Sequence, residues 1–279
     1  MRSDPETEVA EPRPDAITVA AELAQALEID GLSGLRAWWL GRVPYARALA
    51  LQEAIVREHA RTGDLLLLLE HEPVYTTGRG GRAENLGSVP TAVPLFRVNR
   101  GGDATFHGPG QLVGYPLLDL RARGGDVHRY LRAIEAALLD LLDDLGIVAG
   151  TCAGRTGVWV GDTQEPRKIA SIGVGVRRGV TMHGFALNLT LDLAPFAHIV
   201  PCGLAGVEMT SVAAELRRHV RRRSRSLSAS IASPAAAEHS LEQLAPPSLP
   251  SVATLAARRL AERLAVPRAI ADTSLEVSR

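Results

Sequence analysis

The sequence predicts an α/β (α+β) domain built on a mixed β-sheet, and three observations carry that reading. Apolar runs of strand length are many and short, and several stand close enough to pair as hairpins. The helical segments between them are too few to act as the crossovers of a doubly wound parallel sheet. With 279 residues, 46% of them hydrophobic, the chain can bury one good core with appendages. Basic and acidic residues balance at 31 each, no apolar run approaches membrane-span length, and nothing repeats at a solenoid period.

In chain order, residues 1–30 read as a polar leader whose Pro- and acid-rich start cannot bury a face, so it is expected to be disordered. A catalytic domain is expected over 31–220. Pro44 at a first turn, then Tyr45, Ala48, Leu49, Ile55 and Val56, predict a helix ending near Gly63. Leu65 to Leu69 has the length of a strand buried on both faces, and Leu95 to Val98 and Val113 to Leu118 are further strands. Asp126 caps a strong helix whose Val127, Tyr130, Leu131, Ile134, Leu138, Leu141, Leu142 and Leu145 share one face, with Gly146 closing it. Val158 to Val160 and Ile169 to Val176 are strands, and Gly179-Val180 turns the chain into another through His183 to Leu189.

A short helix after Ser211 runs into the basic stretch Arg217 to Arg225. That stretch has no interleaved aromatics for base stacking and no recognised reader motif, so no nucleic acid is expected. Residues 221–250 read as a disordered Arg-, Ser- and Pro-rich insert, and 251–279 as a C-terminal amphipathic helix, starting at Ser251 and ending before Pro267, that packs on the catalytic domain.

The chemistry concentrates between Lys168 and Leu204. Of the 31 Lys plus Arg residues only one, Lys168, is lysine. Arginine carries positive charge at any pH, whereas lysine can be ammonium or neutral amine, so the one lysine suggests a position where a proton comes and goes. The two cysteines, Cys152 and Cys202, and the absence of an apolar signal segment point to a reduced, cytoplasmic protein. Cys152 reads as a small core hydrophobe. Cys202 stands in the turn Pro201-Cys202-Gly203, a poor place to hide a side chain and a better one to present a thiol.

The second element is Arg100-Gly101-Gly102-Asp103-Ala104-Thr105-Phe106-His107-Gly108-Pro109-Gly110-Gln111. Paired glycines let a ligand approach the backbone, and Arg100 can fork onto an anionic or carbonyl oxygen. Gly-Gly alone is an ordinary hairpin turn and His107 alone an ordinary structural histidine; their combination is what draws notice.

These segments, with Arg167-Lys168-Ile169-Ala170-Ser171-Ile172-Gly173, Met182-His183-Gly184-Phe185-Ala186-Leu187-Asn188-Leu189 and Pro201-Cys202-Gly203-Leu204, resemble the lipoyl(octanoyl) transferases from about Leu35 to Val212. The final helix fits the family's C-terminal helix. The leader and the basic insert depart from the compact family pattern, and Phe106 stands where the family often has tyrosine or tryptophan.

The resemblance implies a biotin/lipoate protein ligase-like fold, a mixed β-sheet with a smaller second sheet beside it and flanking helices. It implies an acyltransferase of lipoate biosynthesis with no cofactor and no metal. The donor is octanoyl-acyl carrier protein; the acceptors are lipoyl domains of 2-oxoacid dehydrogenase complexes and the glycine-cleavage H protein. Cys202 matches the residue that carries the acyl thioester, and Lys168 the one that tunes its thiol. Arg100, Gly101, Gly102, Asp103, Ala104, Thr105, Phe106 and His107 match substrate-lining positions, as do Ser171, Ile172, Gly173, Gly184, Phe185 and Ala186. His71 and His183 are weaker candidates for orienting these groups.

The chemistry agrees. A thiol of ordinary pKa, about 8.5, is mostly protonated at neutral pH, and a neighbouring ammonium favours the nucleophilic thiolate. Attack on a thioester is nearly isoenergetic, so the acyl group can wait on sulfur with no nucleotide consumed. Backbone amides of Ser171 to Gly173, or of the loop around Gly203, are candidate donors to the tetrahedral oxyanion. Three rival readings are an ATP-dependent ligase, which needs no nucleophilic thiol; a Cys–His hydrolase using Cys202 and His183; and a non-catalytic module that docks acyl carrier or lipoyl domains, which needs neither Lys nor Cys.

Overall fold

The computed structural model describes residues 21–32, 34–162, 164–228 and 247–265. The first 20 residues of the expected leader, residues 229–246 of the expected insert and the chain beyond 265 lie outside them.

The chain folds around one large mixed sheet with a small sheet beside it. The large sheet contains β1 (Leu27–Ile29), β2 (Arg36–Val43), β3 (Leu65–His71), β7 (Gln111–Leu117), β11 (Val180–Asn188), β10 (Arg167–Arg177), β9 (Arg155–Val160) and β8 (Gly150–Cys152), in that spatial order. β12 (Glu208–Met209) pairs in parallel with the start of β10, at Arg167 and Lys168. The small sheet has β4 (Val74–Thr77) between β5 (Leu95–Arg97) and β6 (Thr105–His107).

Most neighbours are antiparallel; β2 and β3 are parallel because α1 (Tyr45–Arg57) carries the chain across between them. One further turn, His59–Thr62, follows α1, and Gly63 at φ 67° redirects the chain into β3. The five leucines of β3 are buried on both faces. Leu66 and Leu68 pack under α2 (Val127–Asp144) and α4 (Leu249–Leu264), while Leu65, Leu67 and Leu69 pack under α1. The alternation of a strand thus feeds two cores, one on each side of the sheet.

The Asp126 carboxylate accepts from the amides of His128 and Arg129, capping α2. α4 lies against it, with Arg259 bidentate to Asp144 and Arg263 bidentate to Asp140. Ser248 caps α4, so the helix starts two residues before the expected Ser251, with Pro250 in its first turn.

Several elements differ from expectation. Residues 27–29 of the expected leader are β1, held antiparallel to β2, with Ile29 reaching the core. β2 has no clean strand signature because Gly41, at φ 69°, falls where the β2–β3 register shifts between Trp39 and Arg42. β6 lies inside the expected glycine-rich turn. α3 runs over Val212–Ser228, so Arg221 to Ser228 are helical and not the start of a disordered insert. An apolar stripe explains this: buried Val212 and Val220 and core-packed Leu216 stand four residues apart and carry the helix into the basic run. Among the described residues, no helix is long and apolar enough to cross a membrane.

Candidate active site

A cavity of about 390 Å³ opens between the small sheet and the middle of β10 and β11. Cys202 and Lys168 both line it. Lys168 is 2% exposed at the start of β10, and its ammonium donates to the Thr156 carbonyl (3.0 Å) and to the Cys202 sulfur (3.1 Å). It also lies over the Trp159 ring, 5.1 Å from its centre.

Gly157 makes this path possible. At φ 124° it presents bare backbone; a Cβ there would stand 2.7 Å from Lys168 Cε and 2.6 Å from the Ala170 carbonyl oxygen. Glu135, buried on α2, accepts from the Gly157 amide (3.0 Å), which ties this bend to the core helix. From the other side, Arg167 forks onto Glu215 of α3 (2.9 Å for both bonds) and anchors the start of β10.

Cys202 has φ 57° and ψ 18°, a left-handed conformation uncommon for a residue with a side chain. Its amide donates to the Ala104 carbonyl (2.9 Å), and the Val200 amide to that of Asn85 (2.8 Å). The Asn85 side chain bonds Asp103, whose other oxygen accepts from the Ala104 amide (2.6 Å). The cysteine turn is therefore strapped to the glycine-rich segment, and Ser171 Oγ stands 3.9 Å from the sulfur.

The two glycine turns interlock. The Arg79 and Gly80 amides donate to the Arg100 and Gly102 carbonyls, and a side chain at Gly78 would stand within 3 Å of three carbonyl oxygens. The Arg100 guanidinium is turned inward, onto Thr76 (2.8 Å to its hydroxyl) and the Gly101 carbonyl (2.9 Å).

Most of the expected substrate-lining residues do face the cavity: Arg100, Gly101, Gly102, Asp103, Thr105, His107, Ser171, Ile172, Gly173, Gly184, Phe185 and Ala186. Ala104 and Phe106 do not line it. Alternation along β6 aims Thr105 and His107 one way and Phe106 the other, into a core with Tyr75 and Phe196. Ala104 meets the site through its backbone, its carbonyl on the Cys202 amide and its amide on Asp103.

Of the histidines, His107 and His183 are at the wall and His71 lies behind them, its ring 5.7 Å from that of His107. The Val43 carbonyl can only accept, so His71 Nδ1 carries a proton (2.7 Å) and Nε2 accepts from the Tyr115 hydroxyl (2.6 Å). Burial holds His71 down to about 4; burial, then the Arg100 charge, does the same for His183. His107, pushed by burial to about 3, bonds Gln111, which continues through Asn188 to the Thr210 carbonyl. These rings are neutral at physiological pH, so the cation in contact with the sulfur is Lys168, with the buried Arg100 guanidinium within electrostatic reach of it. Burial raises Tyr45 to about 12 and holds Tyr115 well above the usual phenol range, so both hydroxyls keep their protons.

The sequence reading did not single out Thr156, Trp159, Tyr45, Tyr115 or Glu135. Gly157, a glycine between strand residues, was the visible signal of a close approach. Among the described residues no cluster of three or more His, Cys, Asp or Glu is arranged to hold a metal.

The chain resembles known proteins in sequence and in fold. The Lipoyl protein ligase A/B catalytic domain family matches residues 44–225. The octanoyltransferase of Geotalea uraniireducens is 53% identical over 184 residues, which are 65% of this chain and 83% of that protein. The octanoyltransferase of Geobacter sulfurreducens is 54% identical over 184 residues, 65% of this chain and 75% of that protein. Among solved structures, protein Ta0514 of T. acidophilum with bound lipoic acid superposes with a TM-score of 0.55 at 19% identity, over 83% of this chain and 86% of that one. A bi-partite lipoate protein ligase from Thermoplasma acidophilum gives 0.50 at 15% identity, over 84% of each chain. At those identities the likeness is one of fold.

Proposed function

The chain belongs to the lipoyl protein ligase A/B catalytic domain family, and we propose that within it the protein is an octanoyltransferase working through a thioester on Cys202. The observation that carries this reading is the 3.1 Å contact between the Lys168 ammonium and the Cys202 sulfur. An ammonium donating to a sulfur stabilises it as thiolate, the nucleophilic form.

The thiolate attacks the carbonyl of octanoyl-acyl carrier protein and forms a new carbon–sulfur bond. The tetrahedral intermediate collapses by breaking the old one, and the departing carrier thiolate takes a proton from Lys168. Lys168 is then a neutral amine beside an uncharged thioester. It accepts a proton from the amine of the incoming lysine as that nitrogen attacks; an amide forms, and Cys202 leaves as thiolate beside a restored ammonium. Each half-reaction returns the proton that the other uses. The acceptors are lipoyl domains of 2-oxoacid dehydrogenase complexes and the glycine-cleavage H protein, and the lining residues from β6, β10 and β11 enclose the acyl chain.

The test is direct. Incubation with octanoyl-acyl carrier protein, without ATP or Mg²⁺, should add one octanoyl group by intact mass; hydroxylamine should remove it, and a lipoyl domain should discharge it. An absolute requirement for ATP, or no adduct, would overturn the reading.

A further inference from the structure

The whole chain is neutral, with 31 basic and 31 acidic residues, yet the cavity is not. Four basic side chains line it, Arg79, Arg100, Arg155 and Lys168, against one carboxylate, Asp103. The histidines on its wall add no charge, and an octanoyl thioester brings none. Two of the four cations are already committed: Arg100 to Thr76 and Gly101, Lys168 to Thr156 and Cys202. Asp103 is engaged by Asn85 and the Ala104 amide.

Arg79 and Arg155 are different. Both are exposed. Among the described residues neither has a carboxylate partner: Arg79 makes one long bond to Asn99 (3.4 Å), and Arg155 stands 5.9 Å from the centre of the Trp159 ring. They reach the mouth from opposite structures. Arg79 sits on the β4–β5 connection, its amide tied to Arg100; Arg155 opens β9, next to the Thr156 carbonyl that holds the Lys168 ammonium. The Trp159 ring stands 5.9 Å from the Arg155 guanidinium and 5.1 Å from the Lys168 ammonium, so this arginine belongs to the same cavity wall as the reacting lysine. Guanidinium groups suit phosphate because their forked donors match its oxygens.

We propose that Arg79 and Arg155 form a phosphate clamp at the cavity mouth that grips the phosphodiester of a phosphopantetheine-borne acyl donor. This rests on the octanoyltransferase reading, in which the thioester arrives on a carrier's phosphopantetheine arm. The clamp seats the donor for attack and lets go of the product with the released arm, leaving the mouth open to the acceptor lysine.

Octanoyl-phosphopantetheine and octanoyl-pantetheine are the same thioester with and without the phosphate, so they isolate the clamp. The readout is the ratio of their second-order rates of acylating the full-length protein, followed by intact mass. The native ratio should lie well above one and fall with salt. It should drop by about tenfold in Arg79→Gln or Arg155→Gln, the scale of one charge-assisted hydrogen bond, and approach one in the double variant. Arg79→Lys and Arg155→Lys should keep most of it, since a point charge still meets phosphate. A native ratio of one, or a ratio unchanged in the double variant, overturns the clamp. So does a loss confined to the carrier-borne donor, which would assign the arginines to carboxylates of the carrier protein. A native protein that takes octanoyl from neither donor overturns the transferase reading and the clamp with it.

Discussion

Lys168 reaches Cys202 across 34 residues of sequence, with Nζ 3.1 Å from Sγ, by passing over the bare backbone of Gly157. The lysine is 2% exposed, so its charge is held by the Thr156 carbonyl, the Trp159 ring and the sulfur itself, with little help from water. A buried charge without partners is expensive, and this one is matched group by group.

Cys202→Ser should form no octanoyl adduct and show no turnover. Serine is a poor nucleophile without a base, and among the described residues neither wall histidine, His107 or His183, has a carboxylate bonded to its ring. Intact mass and a gel assay for the modified lipoyl domain check this. Adduct on Cys152, or normal turnover by Cys202→Ser, counts against the assignment.

Lys168→Arg keeps the charge and removes the capacity to shuttle a proton. Acylation should continue at a reduced rate, while discharge to the acceptor falls by about 10²-fold or more, the scale for losing a general base. Single-turnover measurements of the two halves should show acyl-enzyme accumulating. Discharge at the native rate would remove the base role and leave Lys168 an electrostatic one.

Gly157→Ala tests the path of the lysine. Its Cβ would collide with Lys168 Cε and the Ala170 carbonyl in a backbone conformation that favours glycine. Stability should fall by about 1–3 kcal/mol, read from the urea midpoint. Acylation should slow on the order of 10²-fold, because displacement of a catalytic group by about an ångström has that effect. Unchanged acylation in a destabilised variant would show that the lysine does not need this route.

The buried histidines set a pH dependence. His71 and His183 sit near 4 in the fold and His107 near 3, against 6.5 for the unfolded chain. Between those values the unfolded state binds protons that the native state refuses, so stability is complete above about pH 6.5 and is lost as pH falls toward 4. A histidine moved from 6.5 to about 4 contributes about 3 kcal/mol to that loss. Urea midpoints from pH 7 to pH 4 should decline, and less steeply in His71→Gln than in the native protein. A parallel decline in both would exclude His71 as a source.

The sequence by itself determined what depends on near neighbours. Asp126 before an apolar stripe makes the capped α2, five leucines make the doubly buried β3, and glycine with proline around Cys202 makes a turn. The chemistry-bearing residues were legible for the same reason: one lysine, a cysteine in a turn and a glycine-rich segment are visible without coordinates. Tertiary structure decided where those side chains point. Strand register puts Thr105 and His107 toward the cavity and Phe106 into a separate core; the β10–β12 pairing and the Arg167–Glu215 fork place the start of β10. Glu135 ties down the Gly157 bend from another element, and the interlocked turns and the start of β9 bring Arg79 and Arg155 to one cavity. Local propensity acts over about one turn of helix or one hairpin, whereas these contacts join residues 20 or more positions apart. They exist only once the sheet has set which strand lies beside which.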